Sequence, residues 1–276
     1  LSDPVKLNEE VDRLLQQSAK IIDDKRYMEI LDATDEEIKE MDKNMKLSVK
    51  LENKDSPCII TVVPDGKKIS RTLGNDTHHK HYRSLLSTTN QHRIISVGSD
   101  GIGYTMVPSY ILEGEETDIN SAFVMPDGVQ NTGIVNDGQP MLTVSSDGFV
   151  KITNRTFNER WKNHPIQGLK SKSSRIVKTI ALPEFGGKAY DDTELILISR
   201  QGKTIRFNIN EINPTGYGAT GVVGMKLKDD EIVSADITSA HSDDSLTTLT
   251  NATMKSTPIK QIPLQKRAGA GVILQR

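Results

Sequence analysis

One cysteine, Cys58, stands in 276 residues, so no disulfide can form within the chain. That scarcity fits a reducing compartment. No run reaches 18 apolar residues, which excludes a membrane-spanning helix. The first residues, Leu1-Ser2-Asp3-Pro4, have neither the basic nor the apolar stretch of a secretory signal, and the expectation is a cytoplasmic protein with no membrane partner. A Gly-x-x-x-x-Gly-Lys-Ser/Thr loop is missing, which removes P-loop nucleotide hydrolysis. Aromatic residues are sparse at 4%, yet 35% hydrophobic content still supports a folded core. Charge of one sign is also lacking. The formal net charge of -2 is not that of a uniformly basic nucleic-acid binder.

Charge and periodicity divide the chain. Residues 1–55 hold 10 Lys/Arg against 15 Asp/Glu, a net of -5, and the remainder carries +3. Leu7, Val11, Leu14, Leu15, Ala19 and Ile22 recur at spacings of three and four, which predicts an amphipathic helix over about Leu7 to Asp23. Thr34-Asp35-Glu36-Glu37 resembles a capping box opening a second helix toward Lys46. Residues 1–45 are therefore expected to be a helical segment, with a β domain over 46–276.

Beyond Leu51 the pattern becomes short β-branched and aliphatic runs separated by turn signals. Ile59-Ile60-Thr61-Val62-Val63, Ile94-Ile95-Ser96-Val97, Met141-Leu142-Thr143-Val144 and Leu195-Ile196-Leu197-Ile198 are each followed by a turn containing Gly66, Gly101, Gly148 or Gly202. Glycine reaches the positive φ that tight hairpins need. Leu246-Thr247-Thr248-Leu249-Thr250 before Asn251-Ala252-Thr253 reads as a fifth, degenerate copy. Hairpins recurring at roughly 50 residues point to a radially repeated all-β architecture. A large β-sandwich is the simpler rival.

The fourth copy reads Gln201-Gly202-Lys203-Thr204-Ile205-Arg206-Phe207, then Gly216-Tyr217-Gly218-Ala219-Thr220-Gly221-Val222-Val223-Gly224-Met225-Lys226-Leu227. This resembles the repeat in the C-terminal domains of type IIA DNA topoisomerase A subunits, the bacterial gyrase and topoisomerase IV family. Tyr217 stands where that repeat usually has Arg. Residues 1–30, with Asp24-Lys25-Arg26 near their end, are similar to the return helix of the family's coiled-coil arm. The resemblance implies a β-pinwheel, a propeller-like disc of about five four-stranded blades preceded by a helical segment. In such a fold the run Met45-Lys46-Leu47-Ser48-Val49-Lys50-Leu51 is expected to pair with the last blade, because an unpaired terminal edge would be an aggregation liability.

The function so implied is binding and bending of duplex DNA without sequence preference. No catalytic residue is expected in this portion, since the family's nucleophilic Tyr lies elsewhere. Partners implied for the whole enzyme are a catalytic core and an ATPase B subunit, with ATP and Mg2+ as its cofactors and none here. Cations just after each turn are the candidate DNA contacts: Lys67, Lys68 and Arg71; Lys151 and Arg155; Lys203 and Arg206; Lys255 and Lys260. The second copy, Gly101-Ile102-Gly103-Tyr104-Thr105-Met106, has no cation and is expected to contribute least. Gln265-Lys266-Arg267-Ala268-Gly269-Ala270-Gly271 resembles the gyrase box and adds Lys266 and Arg267. In gyrase that box lies in the first blade. Its place here, with Ala268 and Ala270 replacing a Gly and a cation, favours a topoisomerase IV-like protein over a gyrase-like one. A protein-interaction propeller without DNA affinity is the alternative of another class. His78, His79 and His81 lack carboxylate or Cys partners at ligand spacing, so a polar loop is expected there, not a metal site.

Overall fold

The computed structural model describes residues 55–63, 65–74, 84–154, 163–239, 241–249 and 253–274, all within the compact unit Glu52–Arg276. The expected helical segment 1–45 and the run Met45 to Leu51 lie outside the described residues, as do His78, His79, His81 and Arg155.

Five hairpins punctuate the described residues: β1 (Pro57–Val62) with β2 (Lys68–Leu73), β4 (Ile94–Gly98) with β5 (Ile102–Met106), β8 (Met141–Ser145) with β9 (Phe149–Thr153), β12 (Thr193–Ser199) with β13 (Lys203–Asn208), and β16 (Ser245–Leu249) with β17 (Met254–Pro258). In the first four, a later strand pairs antiparallel with the first strand of the hairpin. These are β3 (Ser84–Thr89), β7 (Asn131–Asn136), β11 (Ile176–Ala181) and β15 (Ile232–Ser239).

The fourth strand of each blade comes from the following repeat. β6 (Glu116–Asp118), which follows the second hairpin, completes the first blade beside β2. β10 (Asn163–Pro165), β14 (Val222–Val223) and β18 (Val272–Ile273) return in the same way to β5, β9 and β13. Four four-stranded antiparallel blades result, chained by donated strands, in an all-β fold. Among the described residues the fifth hairpin is a two-stranded sheet, and the run expected to pair with the last blade, Met45 to Leu51, lies outside them. In the first strand of that hairpin Ser245, Thr247 and Leu249 are exposed.

Burial explains the sequence runs. Strand β4 sends Ile94 into an apolar cluster shared with blade 1, and Ile95 and Val97 into another shared with blade 3. Successive strand residues point to opposite faces, so a strand held between two blades is apolar throughout rather than alternating. The third cluster joins Leu142, Val144, Val150 and Ile152 to Leu195, Leu197, Ile205 and Phe207, across blades 3 and 4. The core therefore lies between blades. Each such side chain contributes roughly 1.5–3 kcal/mol on burial.

The strands β7 and β11 approach closely. Thr132 and Thr179 hydroxyls lie 2.8 Å apart, and a Cβ at Gly133 would sit 2.2 Å from the Thr179 carbonyl oxygen. Among the described residues helices are minor, with α1 (Ile119–Phe123) and α2 (Lys188–Asp191) at five and four residues.

The turn glycines behave as the sequence predicts, with φ of 75° at Gly66, 82° at Gly101, 85° at Gly148 and 77° at Gly202. Gly148 is doubly constrained, because a Cβ there would lie 2.5 Å from the Met225 carbonyl oxygen. Gly186 has φ 75° but nothing within 4 Å of its Cβ position. Gly148→Ala is expected to lower the unfolding free energy by more than about 2 kcal/mol, the left-handed cost of 1–2 plus the clash. Gly186→Ala should lose only the conformational part. Urea denaturation of both variants checks the difference, and equal losses would contradict the close approach.

Candidate nucleic-acid interface

Each of the first four hairpin turns is tied to the segment that follows a donated strand. The N–H groups of Ile166 and Gln167 donate to the Gly101 carbonyl at 2.8 and 3.2 Å. Those of Gly224 and Met225 donate to Gly148 O at 2.8 and 3.3 Å, and Leu274 N–H donates to Gly202 O at 3.0 Å. At their far ends these loops reach the next turn. Arg175 N–H donates to the Ser146 hydroxyl, and Arg200 N–H to the Glu231 carbonyl. In the first interval Ile119 N–H donates to Lys67 O, and Gln130 N–H to the Ser99 hydroxyl. Turns and loops alternate along one edge of the domain as a continuous ribbon.

Several expected contacts turn away from that ribbon. Arg71 is buried, and its Nε donates to the Ile111 carbonyl at 2.8 Å. Lys151 is 1% exposed, with Nζ 2.6 Å from both Thr153 Oγ1 and Ile166 O. Arg206 donates through Nη1 to Ile259 O at 2.8 Å and faces the buried Glu194 carboxylate at 3.4 Å. Arg267 donates to Val223 O at 2.8 Å and to Glu211 O at 3.2 Å. All four placements share one feature: these cations sit at joints between repeats and donate to backbone carbonyls there. They position blades.

Lys68 pairs with Glu116 at 3.2 Å, Lys260 pairs with Asp243, and Lys255 donates to Leu274 O at 2.8 Å. Lys260 and Lys68 are thus already matched by carboxylates. Lys67 and Lys266 are exposed, and Lys203 is half-buried.

Other cations stand on the ribbon itself. Lys170, Lys172 and Arg175 are exposed between the second and third turns. The Lys170 ammonium lies 4.5 Å from the Phe149 ring centroid, which holds it at the surface. Lys226 and Lys228 are exposed between the third and fourth turns. Arg175 and Arg200 both bind Glu231, and their guanidinium groups, Arg200 foremost, hold its carboxyl below the usual range. Arg175 and Arg200 thus share one carboxylate, beside Asp229 and Asp230. The sequence signal was present as Lys-x-Lys in Lys170-Ser171-Lys172 and Lys226-Leu227-Lys228, but these residues follow the donated strands instead of the turns.

The segment Gln265 to Gly271 occupies the ordinary repeat loop. Val272 and Ile273 pair with Thr204 and Lys203 as Val222 and Val223 pair with Val150 and Phe149. Gly271 and Gly221 share positive φ, and Ala268, at φ 64°, takes the place of Gly218 at 72°. Arg267 accordingly corresponds to Tyr217, whose ring meets His164 edge-on at 4.8 Å. Removing the Cβ in Ala268→Gly should raise stability by about 1 kcal/mol, a gain that denaturant titration would reveal. Unchanged or lower stability would argue against the left-handed backbone.

Burial lowers the Lys151 pKa from 10.5 to about 8. Between those values the unfolded chain binds a proton that the folded chain does not, so unfolding free energy rises with pH through this window. Tyr104 and Tyr190, raised by burial, act oppositely above their ordinary value of 10. The expected outcome is a rise in stability from about pH 8 to about pH 9.5 that Lys151→Met abolishes. Parallel pH profiles for the two proteins would show that Lys151 is not desolvated.

Among the described residues no three His, Cys, Asp or Glu side chains gather as a metal site, and no helix is long and apolar enough to cross a membrane. Residues 193–239 and 250–276 match the family described as DNA gyrase C-terminal domain, beta-propeller. The A subunit of a DNA gyrase from Kosmotoga olearia is 37% identical over 119 residues, covering 40% of this chain and 15% of the relative. The A subunit of a DNA topoisomerase 4 from Streptococcus pyogenes is 28% identical over 141 residues, covering 49% and 16%. The chain thus spans a small fraction of the length of these curated relatives. A crystal structure of the C-terminal domain of DNA topoisomerase IV superposes with a TM-score of 0.65 at 20% identity, covering 80% of this chain and 73% of that one, a likeness of fold.

Proposed function

We propose that this chain, which belongs to the family of C-terminal domains found in gyrase and topoisomerase IV A subunits, binds duplex DNA without sequence preference and bends it along the hairpin-turn ribbon. The observation that carries the reading is the exposed cation set on loops tied to successive turns: Lys170, Lys172, Arg175, Lys226, Lys228 and Lys266. Cations repeated along an edge neutralise phosphates and repay the cost of bending. No helix among the described residues exceeds five residues, so the helix that most base-reading modules place in the major groove is lacking there.

Binding, with no bond made or broken, is the role assigned to this domain. Within a whole A subunit it would present bent DNA to a catalytic core and an ATPase B subunit, where ATP and Mg2+ would be used, in the cytoplasm. A topoisomerase IV-like assignment is favoured over a gyrase-like one. Its support is that Gln265 to Gly271 fills the standard repeat loop of the last hairpin rather than an added motif in the first blade.

Titration of a duplex of about 100–150 base pairs at roughly 50 and 200 mM salt tests the reading. About four phosphate contacts predict a loss of affinity on the order of 100-fold between those conditions. Lys170→Glu with Lys172→Glu should weaken binding further. No binding at low salt would sink the proposal and leave a protein-interaction domain as the better account.

A further inference from the structure

Resting on that reading, we propose that the DNA track is confined to the stretch of ribbon from blade 3 to blade 5, and that residues 112–130 end it. The repeats share one backbone plan but not one charge. Residues 112–130, tying the first turn to the second, carry Glu113, Glu115, Glu116, Asp118 and Asp127 and no Lys or Arg. All five are exposed. The matching loop in the next interval, residues 166–175, carries three cations and no acid. Residues 199–203 and 265–274 each carry two cations and no acid, and the third-interval loop, residues 224–231, sets Lys226 and Lys228 against Asp229, Asp230 and Glu231.

The four segments within residues 166–274 together hold nine Lys/Arg against three Asp/Glu, so a duplex following the ribbon meets a surplus of cations over blades 3 to 5 and carboxylates beyond the second turn. The cations of the first turn do not offset this. Lys68 is matched by Glu116, and Lys67 stands beside Asp65, whose carboxylate accepts from the Lys67 N–H at 2.8 Å. The second turn adds Asp100, which accepts from the Tyr104 hydroxyl at 2.6 Å. Screening over about 8–10 Å keeps each loop's charge local, so the basic half cannot mask the acidic one. Shape continues across the boundary while attraction reverses. The duplex leaves the domain there, held over an arc shorter than the row of blades.

Charge reversal in the full chain tests the boundary, read as affinity and as the slope of log K against log salt. Lys170→Glu with Lys172→Glu, and separately Lys226→Glu with Lys228→Glu, should each reduce the slope by about 2 and weaken binding at least tenfold at low salt. Lys67→Glu should change neither quantity. Glu113→Lys with Glu115→Lys should extend the track, steepening the slope and lengthening the shortest duplex that binds at full strength. If Lys67→Glu weakens binding as much as the blade 3 pair, or the acid-to-lysine variant leaves that length unchanged, the confinement is wrong. A wild-type chain that fails to bind at low salt overturns the DNA reading itself, and this proposal with it.

Discussion

The carbonyl oxygen of a hairpin-turn glycine is the point on which the architecture depends. At Gly101, Gly148 and Gly202 it accepts N–H groups from the loop that follows a strand donated by the next repeat. That bond fixes where the donated strand ends, and so which blade it completes. Glycine is required twice over at Gly101 and Gly148, once for a positive φ and once because the neighbouring backbone leaves no room for a Cβ. The apolar clusters between blades follow from this registration, since only correctly spaced blades bring Ile95 against Met141 or Val150 against Leu197.

Legibility in the sequence tracks how local each feature is. The hairpins were readable because strand, turn and strand are adjacent in the chain and glycine marks the bend. Donated strands of two or three residues, such as Val222–Val223, carry no periodicity and are defined by a partner far away in the chain, Val150 and Phe149 in that case. The short helical turns at Pro108–Tyr110, Ile209–Glu211 and Ile259–Gln261 escaped notice too, although each places a buried isoleucine (Ile111, Ile212 or Ile262) at the same step.

The inward placement of several candidate cations has a geometric reason. A lysine or arginine after a turn sits on a strand, and strand direction decides whether it faces solvent or a joint. At Arg71, Lys151 and Arg206 it faces a joint, and the side chain donates to a backbone carbonyl of a neighbouring segment. The ribbon cations sit on loops, where no such alternation operates. Charge spread over 276 residues averaged to nearly zero and hid an edge that is acidic at one end and basic at the other. Net charge describes the chain, whereas the field that a polyanion meets is local.

Strand donation has a consequence for how such a domain changes in evolution. Removing the residues of one blade would take away the strand owed to its neighbour and orphan the strand it receives. A clean duplication or loss must cut between a hairpin and its donated strand, so that every blade still finds four members. The heritable module is offset from the visible one, and a lineage can lengthen or shorten the row only in that phase.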